Sequence, residues 1–175
     1  ITDRIVPSPL AVVMLNDGTG HFAQGDTAAI SPGLGKVELA DLDGDGDLDA
    51  VVNSGRATVN VLLNDGAGNF SPHANIALSN VFVISKDLAL GDLDGDGDID
   101  FVVPDDEISA VAAYLNDGTG SFTLAATASL PADPVTTVLG DINGDGRLDV
   151  VAGTGFGDYK LHLLLGNGDG TFTSA

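Results

Sequence analysis

Residues 41–49 read Asp41-Leu42-Asp43-Gly44-Asp45-Gly46-Asp47-Leu48-Asp49, and the pattern returns as DLDGDGDID at 92–100 and DINGDGRLD at 141–149. A second pattern, LNDGTGHF at 15–22, returns as LNDGAGNF at 63–70, LNDGTGSF at 115–122 and LGNGDGTF at 165–172. The leading aspartates are 51 and 49 residues apart. The closing phenylalanines Phe22, Phe70, Phe122 and Phe172 are 48, 52 and 50 apart. Two separate markers therefore share one period near 50, the size of a supersecondary unit.

Each period holds four short apolar runs. One precedes the Asp loop (Val37 to Ala40, Leu88 to Gly91, Val135 to Gly140) and one follows it (Ala50 to Val52, Phe101 to Val103, Val150 to Ala152). A third ends in the Asn-Asp-Gly turn (Val59 to Leu63, Val111 to Leu115, Leu161 to Leu165), and a fourth begins at the Phe. All are rich in Val, Leu and Phe and are bounded by Gly, Asn, Asp or Pro, which is the signature of strands; no stretch sustains a helical period. Named A to D, the strands place the Asp loop between A and B and the Asn-Asp-Gly turn between C and D, where Gly and Asn accept positive φ cheaply. The expected fold is all-β, built of propeller-type four-stranded blades. Residues 36–78, 87–130 and 135–175 give three blades and residues 9–30 a C–D half-blade, all within a single repeat region spanning 1–175. About three and a half blades fall short of the four to eight that close a ring, so an incomplete ring or part of a larger assembly is expected.

The 175 residues carry 26 Asp+Glu against 6 Lys+Arg, a formal charge of −20; only Glu38 and Glu107 are glutamates. Turns and metal loops favour the shorter acid. So few, scattered cations exclude binding to nucleic acid or to an anionic membrane surface. No run of apolar residues is long enough to span a bilayer. The chain has no cysteine, so disulfides, thiol catalysis and thiolate-bound zinc are excluded. Ile1 to Leu10 does not read as a signal peptide, and an initial Ile suggests a processed chain or an excised piece.

Thirteen of the acids lie in the three nine-residue loops. Five carboxylates in nine residues repel one another unless a cation sits among them. Positions 1, 3 and 5 can converge on one centre when Gly at 6 permits a sharp turn. Position 7 then offers its backbone carbonyl and position 9 a further carboxylate, a hard all-oxygen set suited to Ca²⁺. The third loop keeps Asp at 1, 5 and 9, puts Asn143 at 3 and Arg147 at 7, so it varies where the arrangement tolerates change. Asp47 and Asp98 at position 7 should point to solvent, and Leu48, Ile99 and Leu148 at position 8 should turn inward. An EF-hand is disfavoured, because position 12 holds Val52, Val103 or Ala152 in place of Glu.

The DxDGDGxxD loop between strands, followed one hairpin later by LNDGxGxF, resembles the FG-GAP/VCBS repeat family, whose loops are similar to those in the calcium-binding blades of integrin α-subunit propellers. The likeness spans roughly residues 9–175. It implies three Ca²⁺ sites: Asp41, Asp43, Asp45, Asp47 (backbone) and Asp49; Asp92, Asp94, Asp96, Asp98 (backbone) and Asp100; Asp141, Asn143, Asp145, Arg147 (backbone) and Asp149. The departure from the family is the missing blades.

The remaining polar groups have plainer readings. His21, His73 and His162 form no catalytic constellation, and no nucleophile elbow occurs. Asp105, Asp106 and Glu107 read as a solvated connection. Asn69-Phe70-Ser71 matches a glycosylation sequon, although Phe70 is also a repeat anchor. Without Trp, and with only Tyr114 and Tyr159, a stacking platform for sugars is hard to build. The expected function is that of an extracellular, calcium-binding structural or adhesion protein, not an enzyme. Its blades present a surface to protein or glycan partners or self-assemble through open edges. The alternatives are a calcium-dependent lectin and the propeller portion of a polysaccharide lyase or hydrolase.

Overall fold

The computed structural model describes residues 9–33, 35–54, 58–78, 87–155 and 157–175. The reading of Ile1 to Leu10 as no signal peptide falls, for residues 1–8, outside these. The described residues contain strands and turns and no helix, hence none long and apolar enough to cross a membrane.

Strands β1 (Leu10–Asn16) and β2 (Phe22–Ala29) form a two-stranded hairpin. Blade 1 comprises β3 (Val37–Ala40), β4 (Asp49–Asn53), β5 (Thr58–Asn64) and β6 (Phe70–Ala77). Blade 2 comprises β7 (Ala89–Gly91), β8 (Asp100–Asp105), β9 (Ala110–Asn116) and β10 (Phe122–Ser129). Blade 3 comprises β11 (Pro134–Gly140), β12 (Asp149–Thr154), β13 (Leu161–Gly166) and β14 (Phe172–Ser174). Within each blade the strands run antiparallel in chain order, A-B-C-D. The blades do not close into a ring.

The alternation of a strand's side chains decides how the blades meet. In β4, Val51 faces forward into a core with Leu42, Val59 and Val61, against Leu88, Phe101, Val103, Ala112 and Tyr114 of blade 2. Ala50 and Val52 face back, with Leu62, against Ala28 of the half-blade. Blade 2 repeats the scheme, with Leu93, Val102, Val111 and Ala113 packed on Val150, Ala152 and Leu164 of blade 3. The B and C strands of blades 1 and 2 are therefore dry on both faces, which is why they read as continuous apolar runs.

This sidedness corrects the expectation for the loop leucines. Position 2 faces the following blade and position 8 the preceding one. Leu42 is 1% and Leu93 5% exposed, each covered by the next blade, whereas Ile142, with none after it, is 57% exposed. Ile99 and Leu148 pack on the cores shared with the blade before them. Leu48 does not turn inward: it is 55% exposed, because among the described residues no A and B strands precede β1 to cover it. Phe22 is exposed for the same reason, while Phe70, Phe122 and Phe172 pack against cores.

The A strands are stitched together at their starts by residues one period apart. Lys36 Nζ meets Asp87 Oδ1 at 2.9 Å, and Asp87 Oδ2 accepts from Thr136 Oγ1 at 2.5 Å and from the Thr137 backbone N–H at 2.9 Å. Asn53 Nδ2 adds a bond to the Asp87 carbonyl at 2.9 Å. One carboxylate thereby links all three blades. Burial opposes its ionisation, but the hydrogen bonds from Thr136, Thr137 and the Lys36 ammonium prevail and hold its carboxyl below the ordinary range.

Two predictions follow from this packing. Leu93→Ala should cost about 2–4 kcal/mol in chemical denaturation, whereas Ile142→Ala should cost under about 1 kcal/mol. Asp87→Ala should cost about 2 kcal/mol at neutral pH by orphaning its donors. Because the folded-state carboxyl is depressed, its stabilisation is complete above about pH 4 and is lost as acid protonates it. The gap between wild type and variant should therefore shrink below that pH.

Candidate metal centre

Glycines at positions 4 and 6 shape each Asp loop. Gly44 and Gly46 have φ of 75° and 92°, and the corresponding glycines of the other loops are likewise left-handed, a region closed to most side chains. The resulting coil turns its amides onto the loop's own carboxylates. Asp41 accepts from Gly44 N–H at 2.8 Å and Gly46 N–H at 3.0 Å; Asp43 accepts from Asp45 N–H at 3.3 Å, and Asp45 from Asp47 N–H at 2.9 Å. Asp92, Asp94 and Asp96 repeat these bonds, as do Asp141, Asn143 and Asp145.

Position 9 is a wholly buried carboxylate in every loop. Asp49 accepts from Leu42 N–H and Asn64 N–H, each at 2.8 Å. Asp100 accepts from Leu93 and Asn116 at 2.7 and 2.8 Å, and Asp149 from Ile142 and Gly166, both at 2.9 Å. One residue thus ties the start of its own loop to the C–D turn.

The first two loops bring carboxylates together. Oxygens of Asp41, Asp43 and Asp49 lie within 4.8 Å of one another, as do those of Asp92, Asp94 and Asp100. Asp45 and Asp96 belong to the same coils but not to these triads. Among the described residues no cation pairs with either triad. The charge consequently falls on the acids: burial, aided by Asp94 and Asp96 and opposed by two backbone hydrogen bonds, pushes Asp100 up to about 6. Burial also raises Asp49 and Asp94. An all-oxygen donor set with a buried, uncompensated carboxylate fits a hard divalent cation.

The third loop differs. Arg147 donates to Asp145 Oδ2 at 2.5 Å and to the Gly166 carbonyl at 2.9 Å, and Asn143 Nδ2 reaches the same Asp145 oxygen at 2.9 Å. Hydrogen bonds from the Arg147 amide and Asn143, together with the guanidinium charge, hold the Asp145 carboxyl below its ordinary value. A side chain expected to be a bystander at position 7 thus supplies the internal counter-charge. Asp47 and Asp98 also depart from expectation. Rather than standing free in solvent, they lie over the turn glycines, so close that a Cβ on Gly66 or Gly118 would fall 2.3 or 2.6 Å from an Asp oxygen. Those glycines are required for room as well as for φ.

Other candidates resolve into structure. The four Asn-Asp-Gly turns share one backbone bond, from Asp17, Asp65, Asp117 and Asn167 N–H to the residue four ahead. Asn69 Nδ2 donates to Asp65 Oδ2 at 2.8 Å, so the sequon asparagine serves its turn. Tyr114 is buried and stacked on Phe101 with ring centroids 4.8 Å apart, and Tyr159 is exposed. Asp105 is not solvated: it is buried at the end of β8 and accepts from Glu107 N–H at 3.2 Å. His162 bonds to Asp158 at 3.0 Å, and Thr154 holds the other oxygen of that carboxylate.

Left-handed glycine coils that fold carboxylates inward, set between the A and B strands of repeated four-stranded blades, define an acidic-loop type of blade repeat. The FG-GAP-like repeat profile matches residues 41–103, 92–152 and 141–175, and the chain belongs to that family. No curated protein matches the chain. Among solved structures, a chain of the Photorhabdus luminescens Tc holotoxin pore aligns with 24% identity and a TM-score of 0.48 over 79% of this chain; the alignment spans 7% of the toxin chain.

In chelator, an NMR titration should place the Asp100 carboxyl midpoint near 6. Millimolar calcium should move it well down, because a bound cation favours the ionised form. A midpoint unmoved by calcium would remove Asp100 from the ligand set.

Proposed function

We propose that this chain is a calcium-stabilised interaction scaffold working outside the cell, with a structural or adhesive rather than catalytic role. The observation that carries the reading is the paired carboxylate triads, Asp41/Asp43/Asp49 and Asp92/Asp94/Asp100, each closed around a buried Asp without a cationic partner. Calcium supplies the missing positive charge. The chain's own residues do the rest: the glycine coils aim the carboxylates, and the position-9 Asp transmits the order of the loop to strands B and C. Three divalent ions would bring the formal charge from −20 to −14. Extracellular calcium is millimolar and fills even modest sites, which supports an extracellular setting. The blades then offer rigid surfaces to a protein or glycan partner, in keeping with the interaction role of repeat propellers. The burial of Tyr114 leaves Tyr159 as the only exposed tyrosine among the described residues, which weighs against a lectin built on aromatic stacking.

Native mass spectrometry in millimolar calcium tests this directly. Three ions per chain are expected. The third loop should release its ion first on dilution, because Arg147 competes for Asp145. Arg147→Ala should tighten that site severalfold. EDTA should lower the thermal midpoint by several degrees. A chain that binds no calcium, or whose midpoint ignores it, would defeat the proposal.

A further inference from the structure

Among the described residues the half-blade consists of a C–D pair with no A–B hairpin beside it. In each complete blade the A–B hairpin engages the C strand and its turn through two contacts, and in blades 1 and 2 it makes a third with the blade that follows. The position-9 Asp accepts from the turn backbone, at Asn64, Asn116 or Gly166 N–H. The position-7 side chain lies over the turn glycine, Gly66, Gly118 or Gly168. The position-2 carbonyl is read by the following blade: Leu42 O accepts from Asn116 Nδ2 at 2.8 Å, and Leu93 O from Gly170 N–H at 3.4 Å.

Among the described residues the half-blade presents the same groups with nothing from an A–B hairpin on them, and blade 1 lacks only the contact from a preceding loop. Gly18 has open space where its counterparts carry a side chain. Asn16 turns its carboxamide onto Gly18 N–H at 2.9 Å, two residues away, where Asn64 and Asn116 instead reach the residue four ahead and a position-8 carbonyl. Asn64 Nδ2 holds Leu48 O at 3.1 Å but has, among the described residues, no carbonyl of a preceding loop to match the one Asn116 takes from Leu42. Beside β1 runs an apolar trough of about 340 Å³, lined among others by Val13, Val37, Leu39, Ala50, Val52 and Leu62. It continues the interface that Leu42 and Val51 fill one blade later.

We propose that this trough receives a two-stranded hairpin of the same repeat type, lying outside residues 9–175, whose B strand pairs with the open edge of β1. The repeat sets the register: its position-9 Asp accepts from Asn16 N–H, its position-7 side chain covers Gly18, and its position-2 residue packs beside Leu48. The three A–B hairpins described here are each paired to their own C strand, so a second copy in this fold has none to lend. The inference rests on the scaffold reading for its partner class but not on calcium.

The test fuses the chain's own second hairpin, residues 87–105, ahead of residue 9 through a flexible linker long enough to reach β1, which raises its effective concentration. The control carries the same residues scrambled. The expected result is a thermal midpoint at least about 5 °C above the control, with new hydrogen-exchange protection confined to residues 10–16. Leu39→Asp, at a position already 54% exposed, should fold normally and erase both effects. No gain over the scrambled fusion, protection at the outer β6, β10 or β14 edges instead, or dimerisation in sedimentation through the blade 3 face would overturn the proposal. Running the pair in calcium and in EDTA separates the two readings. Hairpin capture that persists in EDTA keeps this inference even if the calcium reading fails.

Discussion

Each blade hangs on a carboxylate that water does not reach. Asp49, Asp100 and Asp149 sit wholly buried at the start of a B strand, each spending both oxygens on backbone amides from two different turns. Burying a charge is unfavourable unless it is hydrogen-bonded and neutralised. The amides meet the first condition, and the acids crowded about them make the second harder. The coil that turns the loop's amide inward and the placing of the C–D turn both serve to satisfy that one group. The metal-like character of the loop is thus inseparable from its structural task.

The second organising fact is that the B and C strands of blades 1 and 2 are covered on both faces. Alternate residues of β4 and β8 point to opposite neighbours, so each blade is half of two cores. A residue's environment then depends less on its place in the repeat than on whether a neighbour exists. Leu42 and Ile142 occupy the same repeat position and have opposite fates. Stability in such an array accumulates by interfaces, as in linear repeat proteins.

Much of this was legible in the sequence. Period, strand order and the half-blade came from two motifs whose spacings agreed, and glycine at fixed offsets signalled the coils. Sidedness was not legible. Reading Leu48 as inward treated the loop as an isolated unit, when position 8 needs a preceding blade that β1 and β2 do not supply. Asp47 and Asp98 were misplaced because a turn glycine 19 or 20 residues further on leaves a hollow that only three dimensions reveal. The role of Arg147 was missed because its position was assigned to the backbone. An arginine amid aspartates was itself the available signal. Asp87 carried no local pattern, and only alignment of the periods sets it beside Lys36 and Thr136.

That last trio bears on how near-identical units avoid confusion. Three blades of one sequence grammar could in principle exchange neighbours during folding, a recurrent failure of repeat proteins. At one shared repeat position near the start of strand A the chain writes three different letters: a cation, an anion and a hydroxyl. Lys36 can meet Asp87, and Asp87 can meet Thr136, but a blade 1–blade 3 pairing would set an ammonium against a threonine and leave Asp87 bare. This trio therefore works as an address label. It is a small asymmetry that ranks one order of assembly above its permutations while the apolar faces remain interchangeable.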